Sequence, residues 1–215
     1  MNYIEKVIFR IDFLSPIDVQ QKLEGRLVLE IIKYFKRAQA KKVAVGEISE
    51  TQWVFSSDEN NQLTVGTNLF LVEMTKYNSF EINIQERIFS ILNVLFQIYS
   101  PQIRRIGLRY TNKLPEDNII YDNILFYKTN YIDYNIHSSL STTILVSDFA
   151  GIELTFRIVQ GKPEKQTIVD SPNFLLDLDG STIDTIYDYE NTVRIIEKIH
   201  QEIKDIMKRS IKIGE

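Results

Sequence analysis

The sequence predicts an α+β fold in which an antiparallel sheet carries long helices on one face. Three observations point there. Apolar and polar residues alternate over short runs, as in half-buried strands. Over longer runs the apolar residues recur at helical spacing. The two patterns follow one another as β-α-β-β-α-β, a ferredoxin-like order, and then as β-β-β-α. The boundary falls between residues 1–115 and 116–215. No low-complexity linker separates the halves, so the second is expected to pack against the first, within one continuous domain if the sheet runs through both.

The first strand is "VIFRIDF". Val7, Phe9, Ile11 and Phe13 share one face, and Ile8, Arg10 and Asp12 the other. "SPIDVQQKLEGRLVLEIIKYFKRAQ" then sets Val19, Leu23, Leu27, Ile31 and Phe35 four apart, which predicts a helix with Ser15 as cap and Pro16 in the first turn. Strands follow at "KVAVGEISETQWVFSS" and "LTVGTNLFLVEMTKY", separated by the turn-like "DENNQ". A second helix carries Ile84, Ile88, Ile91, Leu95 and Tyr99 and stops at Pro101. "QIRRIGLRYTNKL" alternates again. Residues 116–136 show no clear pattern. "STTILVSDFAGIELTFRIVQG" reads as two strands around a turn near Asp148–Gly151, and "NFLLDLD" as another strand. The last helix has Val193, Ile196, Ile199, Ile203 and Ile206 on one stripe. "FLVEM" (70–74) resembles "FLLDL" (174–178), and each precedes a long amphipathic helix. A β-β-α unit used twice explains this, as does chance likeness between short strands.

Composition narrows the function. Of 215 residues, 44% are hydrophobic and 25% charged, a globular balance. A net charge of -4 speaks against a general nucleic-acid binder. Without cysteine there is no disulfide, thiolate zinc site or cysteine nucleophile, which suits a reducing compartment. The N-terminus has no signal-peptide pattern, and no apolar run approaches the ~20 residues that span a bilayer. The expectation is a cytoplasmic protein without membrane contact.

"NFLLDLDGSTID" looks like the nucleophile strand of an aspartate-dependent phosphatase, with Asp177 as phosphoryl acceptor and Asp179 as general acid. That chemistry also needs a later Ser/Thr, a Lys and an acidic pair, and only one helix's worth of chain remains. The repeat gives a plainer account, in which Asp177 stands where Glu73 stands on an ordinary amphipathic strand and Gly180 turns the chain. A calcium loop fails because Gly180 comes too early. His137 and His200 lack partners at metal-ligand spacing. No cofactor, metal site or catalytic group is predicted.

"RRIGLRYTNKL" (104–114) is the most distinctive stretch. Ile106, Leu108 and Tyr110 face one way, and Arg105, Gly107, Arg109, Thr111 and Lys113 the other. If every apolar face meets the helices, the open face gathers Arg10, Asp12, Glu73, Arg105, Arg109, Lys113, Glu153, Arg157, Asp177 and Asp179. Two accounts of that face stand open: a solvated ladder of opposite charges, or a recognition surface in which arginines suit bidentate anion contacts. Gly107 leaves room there for a ligand or marks a bulge.

Through Arg105, Gly107, Leu108, Arg109, Tyr110 and Asn112, this strand resembles the Arg-x-Gly-Leu-Arg-Tyr-x-Asn motif of a sporadically distributed prokaryotic family with no established activity. The likeness extends to "VIFRIDF", to Tyr77, Phe80 and Glu81, to "LLDLD" and to the C-terminal helix. The family's proline-rich lead-in is missing here. The resemblance implies an accessory role, in the manner of mobile or defence-type gene systems.

The resulting expectation is a non-enzymatic module that binds a protein partner through Arg105, Gly107, Arg109, Asn112, Lys113, Asp177 and Asp179. A homodimer is compatible with the sequence. One alternative is a metal-dependent hydrolase built from Glu73, Asp177 and Asp179. Another is RNA binding, disfavoured because it needs aromatics on the open face.

Overall fold

A computed structural model describes residues 4–19, 22–45, 48–115, 140–150, 152–161, 173–182 and 188–210. Strands β1 (Ile4–Phe13), β2 (Arg37–Val45), β3 (Ile48–Ser56), β4 (Gln62–Val65), β5 (Leu69–Met74), β6 (Ile103–Pro115), β7 (Leu140–Phe149), β8 (Ile152–Gly161) and β9 (Asn173–Thr182) form one antiparallel sheet of nine. Its order is β2-β3-β4-β5-β1-β6-β9-β8-β7. Among the described residues the helices are α1 (Gly25–Ile32), α2 (Phe89–Tyr99) and α3 (Tyr189–Ser210). A π-helical stretch, Glu81–Ile88, leads into α2.

The fold is therefore mixed α+β, but two of its helices are short. α1 spans only 8 residues, not the whole of the predicted run. All five apolar residues of the expected stripe are buried, yet Val19 and Leu23 precede the helix. Backbone bonds explain why. Phe13 N donates to Asn68 O and Ile17 N to Thr67 O, which ties this segment to the turn before β5. Trp53 Nε1 also donates to Val19 O at 2.8 Å. The helix starts where the chain leaves that turn, with the Glu24 side chain accepting from Arg26 N. Fixed spacing revealed burial here, not helicity. Ser15, expected as the cap, donates instead to Gln102 Oε1.

The two strands expected between the first helices are each a hairpin, β2–β3 and β4–β5, so four strands stand there. β7, β8, β9 and α3 follow the expected β-β-β-α order; residues 116–136 and His137 lie outside the described residues. The two similar segments, β5 and β9, flank the central β1–β6 pair, one on each side, and each precedes a helix.

The strand faces sort as the alternation predicts. Phe9, Leu108, Phe156 and Leu176 are at most 3% exposed and join the α2 and α3 stripes in one core. Gly180 departs from its expected role. It turns nothing; it sits within β9 on the helix side, where an added Cβ would lie 2.6 Å from Ile199 Cγ2 of α3. Its missing side chain lets α3 approach the sheet.

Candidate functional site

Four adjacent strands, β5-β1-β6-β9, build the site on the open face. Their register sets side chains in rows. One row runs Leu71, Arg10, Gly107, Ser181, and the next Glu73, Ile8, Arg109, Asp179. The β1–β6 pairing is regular from Arg105 to Arg109, so Gly107 is not a bulge. It is a gap in a row of side chains. Over it lies a concavity of about 330 Å³, lined by Ile8, Arg10, Leu71, Glu73, Arg105, Gly107, Arg109 and Asp179. That volume is at the small end of ligand pockets. A Cβ at Gly107 would meet nothing nearer than Arg105 Nη2 and Ser181 Cβ, both at 3.9 Å, so the Arg105 guanidinium reaches over the glycine.

The sequence-predicted site residues divide into three groups. Arg105, Gly107, Arg109 and Asp179 line the concavity. Asp177 stands beside it, buried, and receives Arg109 side-on: Nε donates to Oδ1 at 2.8 Å and Nη2 to Oδ2. This pairing holds the Arg109 pKa above its ordinary value. Asn112 and Lys113 belong elsewhere. Asn112 shares the helix-side parity of Tyr110, is fully buried and donates to the Leu176 carbonyl at 3.0 Å. Lys113 pairs with Glu5 further along the strand.

The other charges of the concavity are largely committed. Arg10 Nε donates to Asp12 Oδ1 at 2.8 Å, and Lys6 binds Glu73 at 2.6 Å. Asp179 differs. Burial pushes its pKa up, against the opposing pull of Arg105, Arg109 and Arg157. Among the described residues neither Asp179 nor Arg105 makes a hydrogen bond or ion pair. Ile8 and Leu71 supply an apolar wall that the sequence reading left out of the site; the parity of β1 and β5 carries that signal, since each is an apolar residue on a polar face.

The three acids suggested for a metal do not converge. β1 and β6 separate Glu73 from Asp177 and Asp179, a gap of about 14 Å at ordinary strand spacing. Lys6 and Arg109 also occupy Glu73 and Asp177. Among the described residues no three His, Cys, Asp or Glu could hold a metal ion. Asp177 and Asp179 lie within β9, between antiparallel neighbours, not at a strand end. The described part of the open face carries no aromatic ring for base stacking, and Tyr110 points into the core.

Beneath the site, on the helix side, Tyr77, Tyr110 and His200 form a chain of hydrogen bonds, 3.2 Å between the hydroxyls and 3.0 Å from Tyr110 to His200 Nδ1. His200 stacks on Phe80 with ring centroids 3.9 Å apart. Burial pushes its pKa down to about 4; Lys204 adds to the shift and Glu81 opposes it. The unfolded value is ~6.5. Between the two values the unfolded chain binds a proton that the folded chain does not, so stability falls as pH drops through that window. His200→Phe removes the titration and keeps the stack. Urea midpoints at pH 7.5, 5.5 and 4.5 should decline less steeply in the variant than in the native protein. Equal declines would show that His200 contributes nothing to acid lability.

No helix among the described residues is long and apolar enough to cross a membrane. Compared with known proteins, the chain matches no family model and no curated protein.

Proposed function

We propose that this protein is a binding module, not an enzyme, and that it holds a protein partner on the open face of its sheet. One observation carries the reading. A concavity over Gly107 is ringed by three arginines, and one of them, Arg105, has no partner of its own among the described residues. An unpaired guanidinium over a gap in a strand suits an incoming carboxylate, because its planar fork binds such groups bidentately. Its neighbours already hold acids, which fixes their side chains before a partner arrives.

The reading belongs with a ferredoxin-like core. The β4-β5-β1-β6 order supports it, with β2–β3 added outside β4. The resemblance of the β6 motif to a sporadically distributed family supports an accessory role, in the manner of a mobile or defence-type gene system.

Arg105 and Arg109 must be tested apart. Arg109→Ser leaves buried Asp177 without its donor and should cost ~1–3 kcal/mol. Arg105→Ser breaks no hydrogen bond or ion pair among the described residues and should stay within about 0.5 kcal/mol. Native protein and Arg105→Ser are used as bait in lysate of the source cells, with melting curves alongside. The expected result is an unchanged melt and loss of a partner that the native protein retains. Retention of every partner by the variant would place recognition elsewhere.

A further inference from the structure

The concavity's charges can be paired off. Arg10 is engaged by Asp12, Arg109 by Asp177 and Glu73 by Lys6. Among the described residues one cation and one anion remain, Arg105 and Asp179. They do not touch each other, although they interact through space. The Arg105 guanidinium lies over Gly107. Asp179 is the diagonal neighbour of Gly107 on β9, which places their Cβ positions about 7–8 Å apart. Gly107 leaves the floor beneath the guanidinium without a side chain.

A ligand for this floor must bring an anion to Arg105 and, beside it, a hydrogen-bond donor to Asp179. An ionised carboxylate only accepts, and this one is half-buried with no donor among the described residues. A lone phosphate or sulfate satisfies Arg105 but confronts Asp179 with like charge. An acidic side chain sets its carboxylate at least one bond farther from its own backbone N–H, and brings a chain that continues in both directions. A chain terminus brings both together: its carboxylate and the N–H of the same residue lie about 3 Å apart, and a hydrogen bond of ~2.9 Å at each end spans the gap. Ile8 and Leu71 offer an apolar wall for the terminal side chain, and about 330 Å³ holds a residue-sized group, not a run of chain.

Resting on the protein-partner reading above, we infer that the concavity captures the C-terminal residue of the partner, with its α-carboxylate on Arg105, its N–H on Asp179 and an apolar side chain against Ile8 and Leu71. Capture of a terminal carboxylate is a recurring mode of peptide recognition.

The test uses the full chain and two immobilised peptide pools. Both are eight residues long, randomised at the last four positions and anchored through the N-terminus; one ends in a free carboxylate and the other in an amide. The native protein should be retained about tenfold or more better by the free-acid pool, as expected for loss of a charge-assisted contact. Arg105→Ser should abolish that preference, and Asp179→Leu, which removes the acceptor for the terminal N–H, should weaken retention by the free-acid pool about tenfold. Selected free-acid peptides should end in an apolar residue. Equal retention by both pools overturns the inference. So does absence of retention while partner capture from lysate still depends on Arg105, and in that case the protein-binding reading stands. If neither pool nor lysate yields an Arg105-dependent partner, both fail.

Discussion

Gly180→Val should destabilise the protein by about 3 kcal/mol, the upper end of what overpacking a well-filled core costs. The added Cβ would stand 2.6 Å from Ile199 Cγ2 and 2.9 Å from Phe156 Cε1, well inside van der Waals contact. Neither neighbour has room to yield. Ile199 is fully buried in the central stripe of α3, and Phe156 is 3% exposed on β8. Relief therefore requires α3 to lift from the sheet. Urea melts of the native protein, Gly180→Ala and Gly180→Val should show a graded loss. Ile199→Ala should cost less in the Gly180→Ala background than in the native protein, because the two changes share one volume. Additive costs would mean that the contact does not limit helix packing.

Phe9→Ala should cost ~3–5 kcal/mol, the range for a large aromatic removed from a core that cannot collapse around the hole. Phe9 is fully buried in β1, paired with Val72 on one side and Leu108 on the other, and meets Phe70 edge-on at 6.1 Å between ring centroids. The adjacent Ile8 points to the opposite face and lines the concavity. Ile8→Ala should therefore cost much less, even though it removes a comparable apolar side chain one position away. Chemical denaturation of both variants measures the contrast. Similar losses would mean that both faces of β1 are core.

The strand faces were legible because a period of two leaves little choice once one face is apolar. β1, β5, β6, β8 and β9 all present the side that their alternation implies, and α3 buries Ile196, Ile199 and Ile203 of its expected stripe, with Val193 and Ile206 partly buried. Helix length was not legible. Val19 and Leu23 are buried by a segment pinned to the turn at Thr67 and Asn68, and their four-residue spacing imitates a helix. Gly25, where the helix begins, was the available signal, since a glycine inside a helix is unfavourable. The two wide strands were hairpins, which periodicity alone cannot separate. At the site, parity collected Arg105, Gly107, Arg109 and Asp179. It could not say which charges pair. That Arg109 bonds Asp177 while Arg105 makes no hydrogen bond or ion pair among the described residues depends on the β6–β9 register, a tertiary fact. Asn112 lies on the core side with Tyr110, as its parity implies, apart from the open-face residues of the same motif.

If the gap over Gly107 receives a partner's group, filling the gap should abolish binding, and Gly107→Leu fills it. A Cβ at 107 meets only ordinary contacts, the nearest at 3.9 Å, so a larger side chain enters the concavity from an unstrained Cβ. The same kind of substitution at Gly180, on the neighbouring strand but the opposite face, strains the core instead. The measurement is partner retention by Gly107→Leu beside its melting curve. The expected result is a native-like melt with retention lost. A native-like melt with retention unchanged would contradict the claim.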